Sequence, residues 1–390
     1  DTTDTTDTTD TTDTTDTTDT TTTVTPPDSP TLSLTTKAIK TFSFSWADVS
    51  DETEYRLLEN PDGASGFTQL ATLSADTTAH DIAVLLPARI NASYMLQACN
   101  SGGCTDSNTV NVSGSLTGAI GYFKASNTDQ DDVFGHAVAL SGDGQTLAVG
   151  APYEASNANT IDGAQDNNEA NQSGAVYVFS RNGLDWTQQA YIKASNSTAG
   201  NQFGYSVAFS NDGNTLAVGA VKADPTVTDS GAAYIYTRVG TTWSEQAILE
   251  ASNADTSDLF GQSLALSGDG NILVVGAPSE DSDDVGFDAD AGNAAPGEGS
   301  GAVYLFTRDG TTWSQQHYIK ASNTNLGDAF GYSLALSDDG TTLAVGAWSE
   351  DSNATDINGA QENNDAANSG AVYLFSYFQG DWSQTYIKAS

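Results

Sequence analysis

The stretch FGHAVALSGDGQTLAVGAP, residues 134–152, recurs three more times along the chain, starting at Phe203, Phe260 and Phe330. Each copy is followed, after an insert of variable length, by a run that begins SGA and then by a segment centred on a tryptophan. A self-similar unit of this size is the sequence signature of a repeat architecture, in which each unit is one supersecondary structure. These repeats decide the fold of residues 116–390.

Each unit holds four short apolar runs separated by turn residues. The pair Asp143-Gly144 separates the first two runs, as a tight hairpin requires, and an Asp-Gly pair stands at the same place in every unit. The run LAVGA is apolar on both faces, which is typical of a buried strand, and Gly150 within it would allow backbones to approach closely. We expect Phe134 and Trp186 to fill the space between neighbouring units. Four strands per unit, repeated about an axis, predict an all-β propeller.

The units resemble FG-GAP repeats, the blades of the integrin α-subunit propeller and of many bacterial surface proteins. The resemblance covers all four units and includes both the FG and the GA(P) elements. Integrin-type blades often carry a calcium loop of the form DxDxDGxxD, but the connection SGDGQT at 141–146 is too short and too poor in carboxylates. The aspartates of the Asp-Gly pairs are therefore interpreted as turn residues: Asp143, Asp212, Asp269 and Asp339.

Four units are visible, whereas integrin-like propellers have more blades. The segment GYFKAS at 121–126 repeats the terminal segment before the first unit, and the last unit ends in the same pattern at Ser390. Three arrangements fit: a four-bladed ring with one strand left over, a chain that continues past residue 390, and closure between molecules. We favour the last two, because an extra strand could complete a blade in a neighbouring subunit and build a filament.

Residues 28–115 are expected to form a separate β domain. Runs at Thr41–Trp46, Thr53–Asn60 and Ser93–Asn100 predict short strands, with turn signals between them. Trp46 on an early strand, and YMLQACNSGGC followed by SNTVNV, resemble a fibronectin type III domain. Cys99 and Cys104 are predicted to close a small disulfide loop, the alternative being two free thiols.

Residues 1–27 begin with seven DTT triplets and have no apolar residue before Val24, so they cannot bury a core of their own. A solvated linker is one interpretation. The period of three also matches polyproline II, which would become ordered by packing on neighbouring chains, cations or glycans. We predict an extended stalk or assembly segment, glycosylated on the repeat threonines. Those threonines include Thr2, Thr3, Thr5 and Thr6.

Charge excludes some partners. The 390 residues include 51 acidic and 12 basic side chains, for a formal net charge of −39. Such a surface repels nucleic acid and anionic membranes and attracts divalent cations. No apolar run is long enough to span a bilayer. The chain starts at Asp1 without an initiator methionine, which suggests a processed form or a fragment.

The long inserts after the GA(P) element, at 153–172, 279–299 and 348–368, are the best candidates for chemistry. Calcium takes six to eight oxygen ligands, which Asp, Asn and carbonyl groups on glycine-bearing loops supply. The alternative is a solvated acidic loop. The predicted calcium ligands are Asp162, Asp166, Asp281, Asp283, Asp288, Asp290, Asp351 and Asp356. A second candidate is the turn before FG, with Asp129, Asp131 and Asp132, or Asp255 and Asp258.

Catalysis has little support, because no Ser-His-Asp, HExxH or GxSxG signature occurs. We expect a non-enzymatic extracellular or cell-surface protein with a structural or adhesive role. Its expected partners are further copies of itself in a fibre, or a surface protein or glycan. The first alternative is a ligand-binding propeller module of a larger adhesin, and a weaker one is a fragment of a secreted hydrolase.

Overall fold

The computed structural model describes residues 23–37, 40–112, 123–182, 185–288 and 299–389. The chain divides into two compact units, Asp1–Tyr122 and Phe123–Ser390. Regular structure in the described residues is β-strand apart from a 3₁₀ turn at Leu86–Ala88, and no helix there has the length and apolarity to cross a membrane. The DTT triplets, with Thr2, Thr3, Thr5 and Thr6, lie outside the described residues, as does Asp290.

The first unit is a β-sandwich, as the fibronectin type III-like pattern predicts. Its strands are β1 (Ser33–Lys37), β2 (Thr41–Ser45), β3 (Glu54–Asn60), β4 (Thr68–Ser74), β5 (Ala79–Ala83), β6 (Ser93–Asn100), β7 (Gly103–Asp106) and β8 (Val110–Asn111). One sheet has the order β1-β2-β5 and the other β4-β3-β6-β7, with β8 paired to β6. All pairs are antiparallel.

The core of the sandwich lies between these sheets. The ring of Phe44 in β2 lies 4.8 Å from that of Tyr94 in β6, and Trp46 lies 5.5 Å from Tyr55 in β3. Alternate residues of β3 and β6 are buried, because side chains of a strand point to opposite faces in turn. Cys99 and Cys104 are cross-strand partners in the β6–β7 hairpin and are joined by a disulfide.

The second unit consists of four antiparallel four-stranded sheets, called blades 1–4 in chain order. Blade 1 has β9 (Ala137–Leu140), β10 (Thr146–Ala151), β11 (Ala175–Asn182) and β12 (Asp185–Ile192); blade 2 has β13 (Phe203–Phe209), β14 (Thr215–Ala220), β15 (Ala232–Val239) and β16 (Thr242–Leu249). Blade 3 has β17 (Ser263–Leu266), β18 (Ile272–Ala277), β19 (Ala302–Asp309) and β20 (Thr312–Ile319); blade 4 has β21 (Phe330–Leu336), β22 (Thr342–Ala347), β23 (Ala371–Phe378) and β24 (Asp381–Ile387). In each blade the spatial order follows the sequence order, so the repeat is a four-stranded meander as predicted.

The Asp-Gly pair forms the first hairpin of each blade. In blade 1, Asp143 Oδ1 accepts hydrogen bonds from Ser141 Oγ and from the main-chain N–H of Gln145. Gly144 takes the left-handed backbone that this turn requires, with φ of 66°. The hydrogen bond from Ser141 is the largest of the effects that lower the pKa of the Asp143 carboxyl. These aspartates are turn residues, as the short connection indicates.

Apolar layers between consecutive blades hold the unit together. Between blades 1 and 2, Val176 and Ile192 pack against Phe203 and Tyr234, all of them fully buried. The indole of Trp243 in blade 2 donates to Gln189 of blade 1 at 2.9 Å, so a tryptophan closes the outer part of the layer. An FG phenylalanine and a tryptophan thus fill the space between blades at Phe203 and Trp243, whereas the predicted pair Phe134 and Trp186 packs on blade 1 itself, beside Phe123.

The blades form an open array. The first strands of consecutive blades pack side by side, β9 against β13, β13 against β17 and β17 against β21. Among the described residues, β21 and β9 do not pack side by side as the first strands of consecutive blades do, so blades 1 and 4 are not joined into a ring in that way. Of the arrangements that fit the sequence, a closed four-bladed ring is therefore not the one observed.

Candidate sites in the inserts and at the blade joints

Blade 1 contains a buried ion pair that sequence reasoning missed. Lys193, just after β12, places Nζ 2.7 Å from Glu154 Oε2, and neither side chain is more than 1% exposed. The same ammonium group donates to the carbonyl oxygen of Ser156 and to Ser173 Oγ. Burial lowers the pKa of Lys193, and the neighbouring carboxylate opposes this. The ammonium group therefore has three oxygen acceptors, the number of protons that it can donate.

Blade 3 repeats the arrangement, and blade 4 retains its ion pair. Lys320 pairs with Glu280 at 2.6 Å in blade 3, and Lys388 pairs with Glu350 in blade 4. In each blade a tyrosine hydroxyl bonds to the serine that follows the glutamate by two residues, as Tyr191 does to Ser156. The network ties the start of the insert, the SGA loop and the end of the last strand to one another.

Blade 2 lacks the ion pair and the tyrosine of this network. Ala223 stands where the glutamate is expected, Glu250 replaces the lysine and Ile248 replaces the tyrosine. This blade also has the short insert, of residues 221–229. The signal was present in the sequence, because YIKAS becomes ILEAS in the one unit whose GA(P) element is followed by KADP instead of a glutamate.

Two of the predicted calcium ligands hold the inserts to the last strand of their blade. Asp162 Oδ1 accepts the main-chain N–H of Tyr191 at 2.9 Å, and Asp288 Oδ1 accepts that of Tyr318 at 3.0 Å. Asn358 makes the same bond to Tyr386 in blade 4. Because an amide oxygen serves equally well there, these positions need an acceptor for a strand-edge N–H rather than a charge.

The remaining predicted ligands are spread out. Asp166, Asp283 and Asp356 are exposed, and Asp351 accepts the main-chain N–H of Asn368 at 2.6 Å. Asp281 differs from these, because it is only 4% exposed and its Oδ1 is buried with no hydrogen-bond partner among the described residues. Burial is the largest of the effects that raise the pKa of Asp281. Calcium binding by the inserts remains a prediction.

The turn before FG lies beside the inserts, which joins the two candidate regions. Asp258 is 2% exposed and accepts the main-chain N–H of Asp255 at 2.8 Å. Burial, with help from the charges of Glu280 and Asp281, raises the pKa of Asp258 to about 7. Asp328 in blade 4 is equivalent: burial raises its pKa to about 7, and its Oδ1 has no hydrogen-bond partner in the part of the chain that the structure describes. Blade 2 has a neutral side chain at this position, Asn201.

A further group of carboxylates lies in the sandwich. Oxygen atoms of Asp48, Glu52 and Asp76 lie within 4.8 Å of one another, close enough to share a cation. Asp48 accepts the hydroxyl of Tyr55, and Glu52 accepts the main-chain N–H of Asp76. These hydrogen bonds explain why the three carboxylates lie together, because they hold the loops that carry them in place.

A repeated joint links each blade to the next. At the start of blade 2, the main-chain N–H of Phe203 donates to the carbonyl oxygen of Ser173 in blade 1 at 3.1 Å. The main chain of Gly204 then passes so close to β10 that a Cβ at Gly150 would overlap its carbonyl oxygen. The FG element is thus the half of the joint that each blade inserts into the preceding blade, and the glycine of GA(P) makes the room for it.

The FG-GAP repeat family matches four stretches, residues 121–179, 186–236, 243–306 and 313–375. No curated protein matches the chain. Among solved structures, the β-propeller domain of the Trilobed protease from Pyrococcus furiosus is similar at 11% identity and a TM-score of 0.31, covering 92% of this chain and 83% of that one.

The sandwich has its own neighbours. The fn3 domain of human collagen alpha-1(XX) chain is similar at 17% identity and a TM-score of 0.20, covering 26% of this chain and 92% of that one. Both TM-scores are low, so the fold is assigned from the observed sheets and not from these neighbours. The four matched stretches reach into all four blades, with β24 outside them, and cover more than half of the sequence. The chain belongs to the FG-GAP repeat family.

Proposed function

We propose that this protein is an extracellular structural or adhesive protein that acts through its blades as a scaffold, without catalysis. The observation that carries the proposal is the repetition of the buried network in blades 1, 3 and 4. A catalytic group must be exposed to its substrate, whereas these lysines and glutamates are at most 4% exposed. Ionisable groups that recur at equivalent buried positions stabilise the fold of each blade.

Two further features support a location outside the cell. The Cys99–Cys104 disulfide would persist in an oxidising environment and is rare in reducing ones. A formal net charge of −39 keeps a large surface soluble and repels nucleic acid. The role that we propose for this scaffold is adhesion to a surface protein or glycan, or assembly into a fibre.

Calcium is proposed as an accessory ligand of blade 3. Asp281 has a buried oxygen that no group of the described residues hydrogen-bonds, and Asp258 and Asp255 contribute to the same negative field. Asp and carbonyl oxygens are the ligands that Ca²⁺ prefers. The Asp-Gly hairpins are poor candidates, because the Asp143 carboxylate already accepts the bonds of its own turn.

Labelling of intact cells tests the proposal. Antibodies against the propeller unit should label non-permeabilised cells of the source organism or extracellular material around them. A strain that lacks the gene should lose label and adhere less to the surfaces that the parent strain colonises. Label that appears only after permeabilisation, or unchanged adhesion of the deletion strain together with a lost enzymatic activity, would overturn it.

A further inference from the structure

We propose that blade 4 of one molecule binds blade 1 of a second copy, head to tail, through the same joint that links consecutive blades within the chain. The inference rests on the structural role proposed above and names its partner. It starts from three internal joints that are built alike. Phe203, Phe260 and Phe330 each donate a main-chain N–H to the SGA serine of the preceding blade, at 3.0–3.1 Å.

Blade 4 contains the receiving half of this joint with no blade in it among the described residues. The carbonyl oxygen of Ser369 corresponds to the acceptors of the other joints, yet no FG element pairs with it. Ser206 and Ser263 donate to the carbonyl oxygen of the next FG glycine at 2.6 and 2.7 Å, whereas Ser333 has no such oxygen opposite it. A Cβ at Gly346 would meet only Ser333 there, while its counterparts meet the next blade.

The side chains on this face are exposed where their counterparts are buried. Val372 is 40% exposed, whereas Val176 and Val303 at the same position are fully buried. Trp348 is 58% exposed, whereas Val221 at the same position is 2% exposed. A cavity of about 470 Å³ lies between them and is lined by the residues that hold the FG element at the other joints. This face therefore has the shape of a blade joint and lacks the blade.

Blade 1 presents the inserting half. Phe134 is only half-buried, whereas Phe203, Phe260 and Phe330 are fully buried. Val138 and Leu140 of β9 are 65% and 60% exposed, although the equivalent residues of the other blades are half-buried. A Cβ at Gly135 would touch nothing within 4 Å, whereas one at Gly204 would overlap the carbonyl oxygen of Ala175 in the preceding blade. The two unfilled halves belong to the same chain, so a second copy is the occupant that the sequence already encodes.

One segment must move when the joint forms. Phe123 and Ala125 pack on Tyr177 and Phe179 of blade 1, as Ile192 and Ala194 of blade 1 pack on blade 2. They therefore occupy the place that Ile387 and Ala389 of an incoming blade 4 would take. Strand ends of the same sequence pattern compete for this site, and the incoming copy would replace the resident one. The contact uses different surfaces on the two copies, so it permits chains of molecules.

Sedimentation velocity of the full chain at about 0.15 M salt, where exposed like charges are screened beyond roughly 8 Å, tests the joint. The wild-type chain should form concentration-dependent dimers and longer species. Val372→Asp and Val138→Asp should each weaken association by at least about tenfold, because a buried carboxylate without a partner is costly. Val239→Asp is the matched control, since Val239 is 84% exposed at the far end of a hairpin in blade 2. It should change nothing.

Mixing the two variants gives the sharper result. The Val372→Asp chain retains an intact blade 1 and the Val138→Asp chain an intact blade 4, so an equimolar mixture should form heterodimers joined once. Circular dichroism of each variant shows that it is folded. A wild-type chain that stays monomeric at high concentration, or a mixture that stays monomeric, would overturn the inference. If antibodies label the cell surface but the purified chain does not self-associate, the proposed function stands and only the joint between copies is refuted.

Discussion

Lys193 Nζ lies 2.7 Å from Glu154 Oε2 in a site where neither side chain is more than 1% exposed. Removing one member of such a pair leaves an uncompensated buried charge, whereas replacing the whole set by apolar residues is often neutral. Blade 2 lacks the pair altogether, with Ala223 in place of the glutamate, Ile248 in place of the tyrosine and Glu250 in place of the lysine. The glutamate, the lysine and the tyrosine are thus absent together from blade 2.

The buried ion pair predicts that substitutions of its two members in blade 3 have non-additive effects on the free energy of unfolding. Lys320→Met should destabilise the propeller unit by about 3–5 kcal/mol, because Glu280 is left buried and unpaired. Glu280→Ala added to Lys320→Met should recover part of that loss. Chemical denaturation followed by tryptophan fluorescence measures both. Lys222→Met, at an exposed position of blade 2, is the control and should change the free energy of unfolding by less than about 0.5 kcal/mol. Equal losses in the single and double variants would contradict the role assigned to the pair.

The repeat pattern predicted the blades well because it is local. Alternation, the Asp-Gly turns and the apolar LAVGA run each determine the structure of a few neighbouring residues, and the strands formed where those signals stand. The prediction of a Cys99–Cys104 bond had the same local character, since the two residues lie five positions apart across one hairpin.

The sites were harder to predict, because they join distant residues. Glu154 and Lys193 are 39 positions apart, and their pairing depends on how the insert returns to the last strand. Asp162 was singled out for its carboxylate, yet the structure uses it as an acceptor for the N–H of Tyr191, a role that Asn358 fills in blade 4. Composition indicates which oxygens are present but not which backbone groups already occupy them.

Asp258 and Asp328 should make the protein less stable at alkaline pH. Burial raises the pKa of each to about 7, from an ordinary value of 3.8, so the folded state holds protons that the unfolded state releases. Their contribution is complete below about pH 3.8 and is lost as pH rises through about 7. Asp258→Asn and Asp328→Asn together should therefore raise the melting temperature at pH 8, by roughly 2–4 °C for each kcal/mol recovered.

The same variants separate this effect from general charge repulsion. A chain of net charge −39 also gains stability as its exposed carboxylates are protonated, and that gain should survive in the Asn variants. Melting temperatures measured between pH 5 and 8 should show a shallower slope for the double variant than for the wild type. Parallel slopes would mean that the two buried aspartates do not titrate in this range.

Glycines at equivalent places should respond differently to the same substitution. Gly276→Ala places a methyl group against the carbonyl oxygen of Gly331 in the next blade and should cost about 1–3 kcal/mol, as overpacking does. Gly346→Ala meets only the hydroxyl of Ser333, which can rotate away, and should be nearly neutral in a dilute monomer. Thermal denaturation at low concentration compares the two. A comparable loss in both variants would show that the glycine is required by its own strand rather than by the joint.

Calcium should stabilise blade 3 through Asp281, if the buried oxygen that has no partner is a ligand. We expect millimolar CaCl₂ to raise the melting temperature of the wild type, since a ligand that binds only the folded state stabilises it by mass action. Asp281→Asn should abolish the increase, whereas Asp283→Asn, two residues away and exposed, should not. Equal ionic strength in NaCl controls for screening of the acidic surface. Because that screening acts on both variants alike, an identical response to Ca²⁺ in the two would mean that the effect comes from the overall charge and not from a site.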